Sequence, residues 1–299
     1  MFIQRRVGGV EYLVDTSRGT GILLPSTVGQ EGSAFNNLAT FVEWVRCGRR
    51  IPGIVQWEIL SACNFRCPFC YIVGHVPTRV FSAARMFEIV QEFVASEVVQ
   101  VILTGGEPLL HPGFHQLYRE LKKAGILVTV FSNLSQFSDK HFELFRELPP
   151  SGVEVSIYGH DEESYYSATG RRCFKDVLRN VELLVSLGID VLCKTPVTTT
   201  TASSIQWIRE WCDERSLPYV ASPNIEDGLD GVSLKHFAVS VPRIHQIQAR
   251  RFAEASLGVS SRPRDPRVAF GCGVGKIGAY IGYDGTVSPC ASTRNISFL

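Results

Sequence analysis

The sequence holds three cysteines in the run Cys63-Asn64-Phe65-Arg66-Cys67-Pro68-Phe69-Cys70-Tyr71, a C-x3-C-x2-C spacing with an aromatic residue before the last thiol. Thiolates this close on one loop suit a cubane of four irons and four sulfides, and three of them leave the fourth iron with an open coordination position. Structural zinc is the competing use of such a triplet. Zinc closes its shell with four ligands, usually in two close pairs, and His75 is the only nearby candidate to complete one. The spacing therefore favours an iron-sulfur cluster whose open iron is filled by something other than this loop.

A second group follows at Thr104-Gly105-Gly106-Glu107-Pro108. Two glycines let a backbone approach a ligand closely, and a glutamate beside them can pair with an ammonium group. Alone, such a run is an ordinary tight turn.

The elements that must position these groups alternate in type along the chain. Ile54 to Leu60 reads as a strand that delivers the chain into the cysteine loop. Ser82 can cap a helix with Met86, Ile89, Val90, Phe93 and Val94 on one face. A strand Val98 to Leu103, a helix through Phe114, Leu117 and Leu121 closed by Gly125, and a strand Ile126 to Phe131 come next. The unit recurs as helix Ser138 to Leu148, strand Val153 to Ile157, helix Phe174 to Leu187 ended by Gly188, and strand Ile189 to Val197. A helix Ser204 to Arg215 and a short strand around Tyr219 complete the series. This order requires a parallel sheet with right-handed crossovers, either an open or partial barrel or a doubly wound sheet. In either case both motifs lie at carboxyl ends of strands, where active sites of α/β folds are found.

The cysteine run and the Gly-Gly-Glu-Pro turn, in this order and one βα unit apart, resemble the signatures of the radical S-adenosylmethionine (SAM) enzymes. The resemblance implies a partial (β/α)6 barrel in which Cys63, Cys67 and Cys70 hold a [4Fe-4S] cluster and SAM chelates its open iron through its amino and carboxylate groups. It also implies that Gly105, Gly106 and Glu107 grip the methionyl amino group and that Phe69 lies beside the adenine. Ser132, Asn133 and Ser156 would contact the sugar or methionyl part, and Lys194 the carboxylate. The residues alone leave another use open for each of these four, a polar side chain satisfying backbone at a strand end. An external one-electron donor such as flavodoxin or ferredoxin would reduce the cluster. The resulting 5′-deoxyadenosyl radical would then remove hydrogen from a substrate.

Two extensions flank the barrel, so the chain divides into residues 1–52, 53–259 and 260–299, with Ser260 to Pro266 as the hinge. Near the C-terminus, Asp284-Gly285 between two strand-like runs signals a β-hairpin that would bring Cys272 towards Cys290. The arrangement C-x12-G-x4-C resembles the opening of the SPASM and twitch extensions, which implies an auxiliary iron-sulfur cluster on Cys272 and Cys290. Those extensions use further cysteines, and none stands between Ala291 and Leu299. Three readings stay open: the front part of a longer protein, ligands from elsewhere, or a vestigial hairpin. At the other end, Phe2 to Val7 and Glu11 to Asp15 read as a hairpin about Gly8-Gly9, followed by Gly21 to Leu24 and a helix Phe35 to Val45. This order resembles the start of the peptide-recognition elements of peptide-maturing radical enzymes; a cap across the barrel is the other reading.

Composition limits the classes. The chain of 299 residues is 45% hydrophobic and 20% charged, enough to bury a large core. Thirty Lys and Arg against 29 Asp and Glu give a formal charge of +1, which argues against nucleic acid or anionic lipid as partner. No stretch approaches a bilayer-spanning length, Met1 to Val10 lacks the apolar run of a secretion signal, and a cytoplasmic location is expected. Nine cysteines in such a chain point to metal or redox use; Cys47, Cys173, Cys193 and Cys212, without metal spacing, read as small buried residues. Tyr158-Gly159-His160 and Tyr166 to Gly170 resemble the peptide-maturing members most closely, so the expected substrate is a ribosomally made precursor peptide. The alternatives are a small-molecule radical SAM enzyme of antibiotic or cofactor biosynthesis and a non-catalytic metal-binding or partner-binding protein.

Overall fold

The computed structural model describes residues 52–247 and 278–294 in full, and residues 2–7, 10–15 and 20–23 as backbone strands. These last form an antiparallel sheet of β1 (Phe2–Val7), β2 (Val10–Asp15) and β3 (Thr20–Leu23), in which Val7 pairs with Val10. The expected helix Phe35 to Val45, Cys47, Cys272 and the hinge at Ser260 to Pro266 lie outside the described residues.

Six parallel strands build the main sheet in chain order: β4 (Ile54–Glu58), β5 (Gln100–Thr104), β6 (Leu127–Ser132), β7 (Gly152–Ser156), β8 (Val191–Pro196) and β9 (Tyr219–Ser222). The crossovers are α1 (Ala83–Ala95), α2 (Phe114–Lys123), α3 (Asp139–Glu147), α4 (Glu162–Thr169), α5 (Phe174–Ser186) and α6 (Ile205–Asp213). The sheet stays open, because β4 and β9 do not pair. An open (β/α)6 sheet is the partial barrel expected from the sequence.

Local chemistry explains most element ends. Ser82 caps α1 by accepting from the Arg85 amide at 3.2 Å. The closing residues Gly125 and Gly188 sit at φ of 70° and 71°. Met86, Ile89, Val90 and Phe93 turn inward from α1, but Val94 is exposed, because its position rotates past the buried stripe. Helix α4 escaped sequence reading: it is short, and its capping signal, Asp161 accepting from the Ser164 amide, carries no apolar periodicity behind it.

The C-terminal hairpin does more than fold on itself. Its strands β10 (Gly278–Ile281) and β11 (Val287–Ser288) pair antiparallel around the Asp284-Gly285 turn, with Gly285 at φ 90°. Strand β10 then joins the main sheet parallel to β4, with Gly278 opposite Ile54 and Ile281 opposite Trp57, giving eight strands in the order β11-β10-β4-β5-β6-β7-β8-β9. The strand that leads into the cysteine loop is therefore interior, flanked by β10 and β5.

Under the sheet the core is continuous. Trp57, fully buried, meets Phe81 and Phe93 edge-on at 5.6 and 5.5 Å, and Leu103, Val101, Val128 and Val130 are buried beside it. Cys193 and Cys212 are buried in this core, as expected, and Cys173 is half-buried at the start of α5. No helix among the described residues is long and apolar enough to cross a membrane. Because Leu103 is wholly buried on interior strand β5, Leu103→Ala is expected to lower unfolding free energy by about 2–5 kcal/mol. Urea titration of the two proteins checks it, and a loss within error of zero would contradict this packing.

Candidate active site

The carboxyl ends of β4 to β9 surround one cavity of about 550 Å³, a size typical of small-molecule sites. Cys63, Cys67 and Cys70 line it together with Gly105 and Gly106, so the fold brings the two motifs to one place. Among the described residues no three His, Cys, Asp or Glu side chains converge on a single-ion position. All three thiols line the cavity, and in a cubane each thiolate takes a different iron.

Backbone hydrogen bonds continue the pairing of β4 with β5 past the ends of both strands. The amide of Ile59 donates to the Thr104 carbonyl, Gly106 to Leu60 and Glu107 to Ala62, at 3.0, 2.9 and 2.9 Å. This stitching needs residues without a side chain. A Cβ on Gly105 would lie 2.3 Å from the Leu60 carbonyl oxygen, and one on Gly106 would lie 2.1 Å from that of Ala62. Gly105 also sits at φ 145°, which other residues rarely adopt. The two glycines hold the glutamate turn against the start of the cysteine loop.

Glu107 is where the structure departs most from the expected geometry. Its carboxylate does not line the cavity; it is buried beneath, accepting from the Ser132 hydroxyl at 2.7 Å and from the amides of Asn133 and Leu109 at 2.7 and 3.1 Å. The reason is the path of its backbone, which is tied to Ala62 and turns directly into the Pro108–Leu110 3-10 turn. From there Glu107 positions Ser132 and Asn133, both of which line the cavity. Burial pushes its carboxyl up to about 7, while the three hydrogen bonds pull the other way.

Asn133 carries the network onward to the cysteines. Its Nδ2 donates to Asn64 Oδ1 at 3.1 Å and approaches Cys63 Sγ at 3.8 Å, while Ser135 Oγ donates to Asn133 Oδ1 and accepts from Asn64 Nδ2. Arg171 donates to the Asn64 carbonyl at 2.8 Å, and the Arg66 amide to that of Thr169 at the end of α4. Asn64 was missed in the sequence, although a polar residue between two thiols of a short loop is the kind of position that braces such a loop.

The other expected residues also reach the cavity. Phe69 lines it, packed against Tyr158 at 5.8 Å and Phe237 at 6.3 Å. Ser156 lines it from the end of β7. Lys194 lines it from β8, ion-paired with Glu154 and 4.5 Å above the Phe131 ring, its ammonium pushed down by burial. Ser222, Asn224 and Glu226 complete the far wall and were not anticipated. Cys290 lies in the turn after β11, its Sγ 3.4 Å from Thr293 Oγ1.

Burial pushes all three thiols up, Cys63 to about 12, with further upward contributions from the neighbouring thiols to Cys67 and from Glu58 to Cys70. Thiols so placed stay protonated unless a cationic centre displaces their protons. The residues present thus fit an iron-sulfur cluster by type and placement.

The family model of the Radical SAM superfamily matches residues 57–203. That match places a radical SAM domain in this stretch of the chain. Proteins of that family use a [4Fe-4S] cluster and SAM. The chain is 26% identical to the sporulation killing factor maturation protein SkfB of Bacillus subtilis over 248 residues, covering 80% of this chain and 60% of that one. It is 29% identical to a GTP 3′,8-cyclase of Synechocystis over 158 residues, 50% of this chain and 46% of the cyclase. The chain thus spans less than two thirds of these curated relatives. In three dimensions it is similar to Streptococcus suis SuiB, with a TM-score of 0.69 at 12% identity over 99% of this chain and 83% of SuiB. With SuiB bound to SAM the TM-score is 0.68 over 97% and 81%. At these identities the likeness shows a shared fold.

The raised Glu107 gives a pH test. In the unfolded chain its carboxyl ionises near 4.5 and in the folded chain near 7. Between those values the folded state holds the extra proton, so stability falls as pH rises through this window and levels off above it. The shift corresponds to on the order of 3 kcal/mol. Urea unfolding of the cluster-free chain should show that decline between about pH 4.5 and 7, and Glu107→Gln should flatten it. An equal slope in the variant would contradict the assignment.

Proposed function

We propose that this chain contains the catalytic core of an enzyme that reductively cleaves SAM and uses the radical formed to remove hydrogen from a ribosomally made precursor peptide. The observation that carries the reading is the convergence of Cys63, Cys67 and Cys70 with the Gly105-Gly106 turn on one cavity at the strand ends. When bound, the reduced cluster and SAM supply one-electron cleavage of SAM to methionine and a 5′-deoxyadenosyl radical, which becomes 5′-deoxyadenosine on taking hydrogen from the substrate.

The chain's residues do the holding and the excluding. The three thiols hold the cluster. Gly105 and Gly106 present bare backbone to the methionyl end of SAM, with Ser132 and Asn133 beside them, set in place by Glu107. Lys194 offers its ammonium to the carboxylate of SAM, and Ser156 a hydroxyl to its sugar. Phe69, against Tyr158 and Phe237, gives the adenine an apolar face that keeps water from the reacting carbon. The electron comes from a one-electron donor protein of the flavodoxin or ferredoxin class. We assign residues 53–259 to this core and residues 260–299 to a SPASM- or twitch-like extension, with an auxiliary cluster on Cys272 and Cys290.

A peptide substrate is supported by the extent of the likeness to SkfB, a maturation protein by name: it spans 80% of this chain, against 50% for the cyclase. SuiB, which shares the fold, is also known bound to its precursor peptide SuiA. The cyclase similarity favours a second reading, a small-molecule substrate, and one experiment separates the two. Co-expression with short peptides encoded beside this gene, with Cys63→Ala as control, should give a peptide altered by hydrogen loss or by deuterium incorporation from heavy water. Unchanged peptides together with consumption of a nucleotide would favour the second reading.

The radical assignment has its own test. Cys67→Ala should remove the cluster's visible absorbance and all 5′-deoxyadenosine formed from SAM and dithionite, measured by mass spectrometry after anaerobic reconstitution. Cleavage by a well-folded Cys67→Ala protein would sink the assignment.

A further inference from the structure

A second buried array, separate from that of Glu107, touches the cysteine loop at Tyr71. Glu58, at the end of β4, is a carboxylate with no exposed surface in a strand of otherwise apolar inward-facing residues. It accepts from the Tyr71 hydroxyl at 2.9 Å and the Tyr283 amide at 3.3 Å, and it also bonds the Tyr280 side chain. Arg294 completes the array. Its Nη2 lies 3.8 Å from Glu58 Oε1, its Nε donates to the Tyr280 hydroxyl at 3.0 Å, and its guanidinium lies 4.0 Å above the Tyr71 ring.

The members come from distant parts of the chain. Tyr71 directly follows the cluster ligand Cys70, whereas Tyr280, Tyr283 and Arg294 belong to the hairpin and the turn after it. Tyr71 is held at three points: its hydroxyl by Glu58, its ring by Arg294, and its carbonyl by the Leu229 amide at 3.0 Å. One of these holds, the Arg294 contact, comes from the hairpin side, and Cys70 is one peptide bond away. The turn that carries Arg294 is tied in turn to the cavity wall, since Ser292 Oγ donates to Glu226 Oε1 at 2.7 Å.

We propose that Arg294 is a positioning residue for the cluster loop: anchored on buried Glu58 and seated on the Tyr71 ring, it makes the seating of Cys70 depend on the docking of the C-terminal hairpin. This gives the hairpin a role at the SAM-cleaving cluster that requires no auxiliary cluster. The proposal rests on the reading that Cys63, Cys67 and Cys70 hold the cluster. Partners that orient a ligand from outside commonly change metal retention or activity by roughly 10- to 100-fold.

The test follows iron loss from the anaerobically reconstituted full chain to a ferrous chelator, together with the electron paramagnetic resonance (EPR) spectrum of the reduced cluster. Arg294→Gln should release iron roughly 10-fold faster than wild type and shift the spectrum. Tyr71→Phe keeps the ring under Arg294 and removes only the hydroxyl, so it should act in the same direction even if the arginine variant folds poorly. In the double variant the two effects should fall short of multiplying, because both act through Tyr71. Leu184→Ala, a buried position on α5, is the control for general destabilisation and should keep the wild-type rate and spectrum. Release from Tyr71→Phe and Arg294→Gln no faster than from Leu184→Ala would overturn the proposal and leave the cluster assignment standing. A wild-type chain that takes up no cluster would overturn both.

Discussion

Everything at this site depends on a close approach of two backbones. The amides of Gly106 and Glu107 donate to the carbonyls of Leu60 and Ala62, and a single Cβ on either glycine would collide with those same carbonyls. The strand pairing of β4 and β5 supplies the register, and beyond the strand ends backbone hydrogen bonds at side-chain-free glycines continue it. Cys63 follows Ala62 immediately, so the place of the first thiol is set by where the glycine turn lies. Motifs that look independent along the chain are one structure in space.

That arrangement carries a cost in electrostatics. Glu107 and Glu58 are buried and the three thiols half-buried, and desolvation pushes every one of them towards its neutral form. An interior assembled for stability alone would put apolar side chains here. The chain instead surrounds each group with donors: Ser132, Asn133 and Leu109 for Glu107, and Tyr71, Tyr280 and Tyr283 for Glu58, with Arg294 nearby. The thiols receive only weak donors, from the amides of Phe65 and Val73 and from Asn133. They rest neutral, and a bound cluster would have to displace their protons.

The parallel sheet and its six strands were readable because alternating apolar runs and 3.6-residue stripes are written locally, and the hairpin turn was readable from Asp284-Gly285 for the same reason. Partnerships across the chain were less so. That β10 would add to the sheet beside β4 follows from an unpaired edge that no local pattern describes. Cys63, Cys67, Cys70, Phe69, Gly105, Gly106, Ser132, Asn133, Ser156 and Lys194 all line the cavity, since the carboxyl ends of parallel strands meet whatever the side chains. Residue type and neighbourhood point Glu107 at the ligand, but they say nothing about side-chain direction once the backbone turns. Glu58 had left a trace, one carboxylate inside Ile54-Val55-Gln56-Trp57-Glu58-Ile59-Leu60, directly before the cysteines. Arg294 had left none, for its role exists only after the hairpin docks.

The central claim is that three thiols hold a cubane whose fourth iron stays open to SAM. EPR spectroscopy of the anaerobically reconstituted chain, reduced and recorded with and without SAM, tests it most directly. A signal of one reduced [4Fe-4S] cluster whose g values move when SAM is added is the predicted result, because SAM then binds the cluster itself. A signal indifferent to SAM, or a colourless protein carrying a single zinc ion, would contradict it.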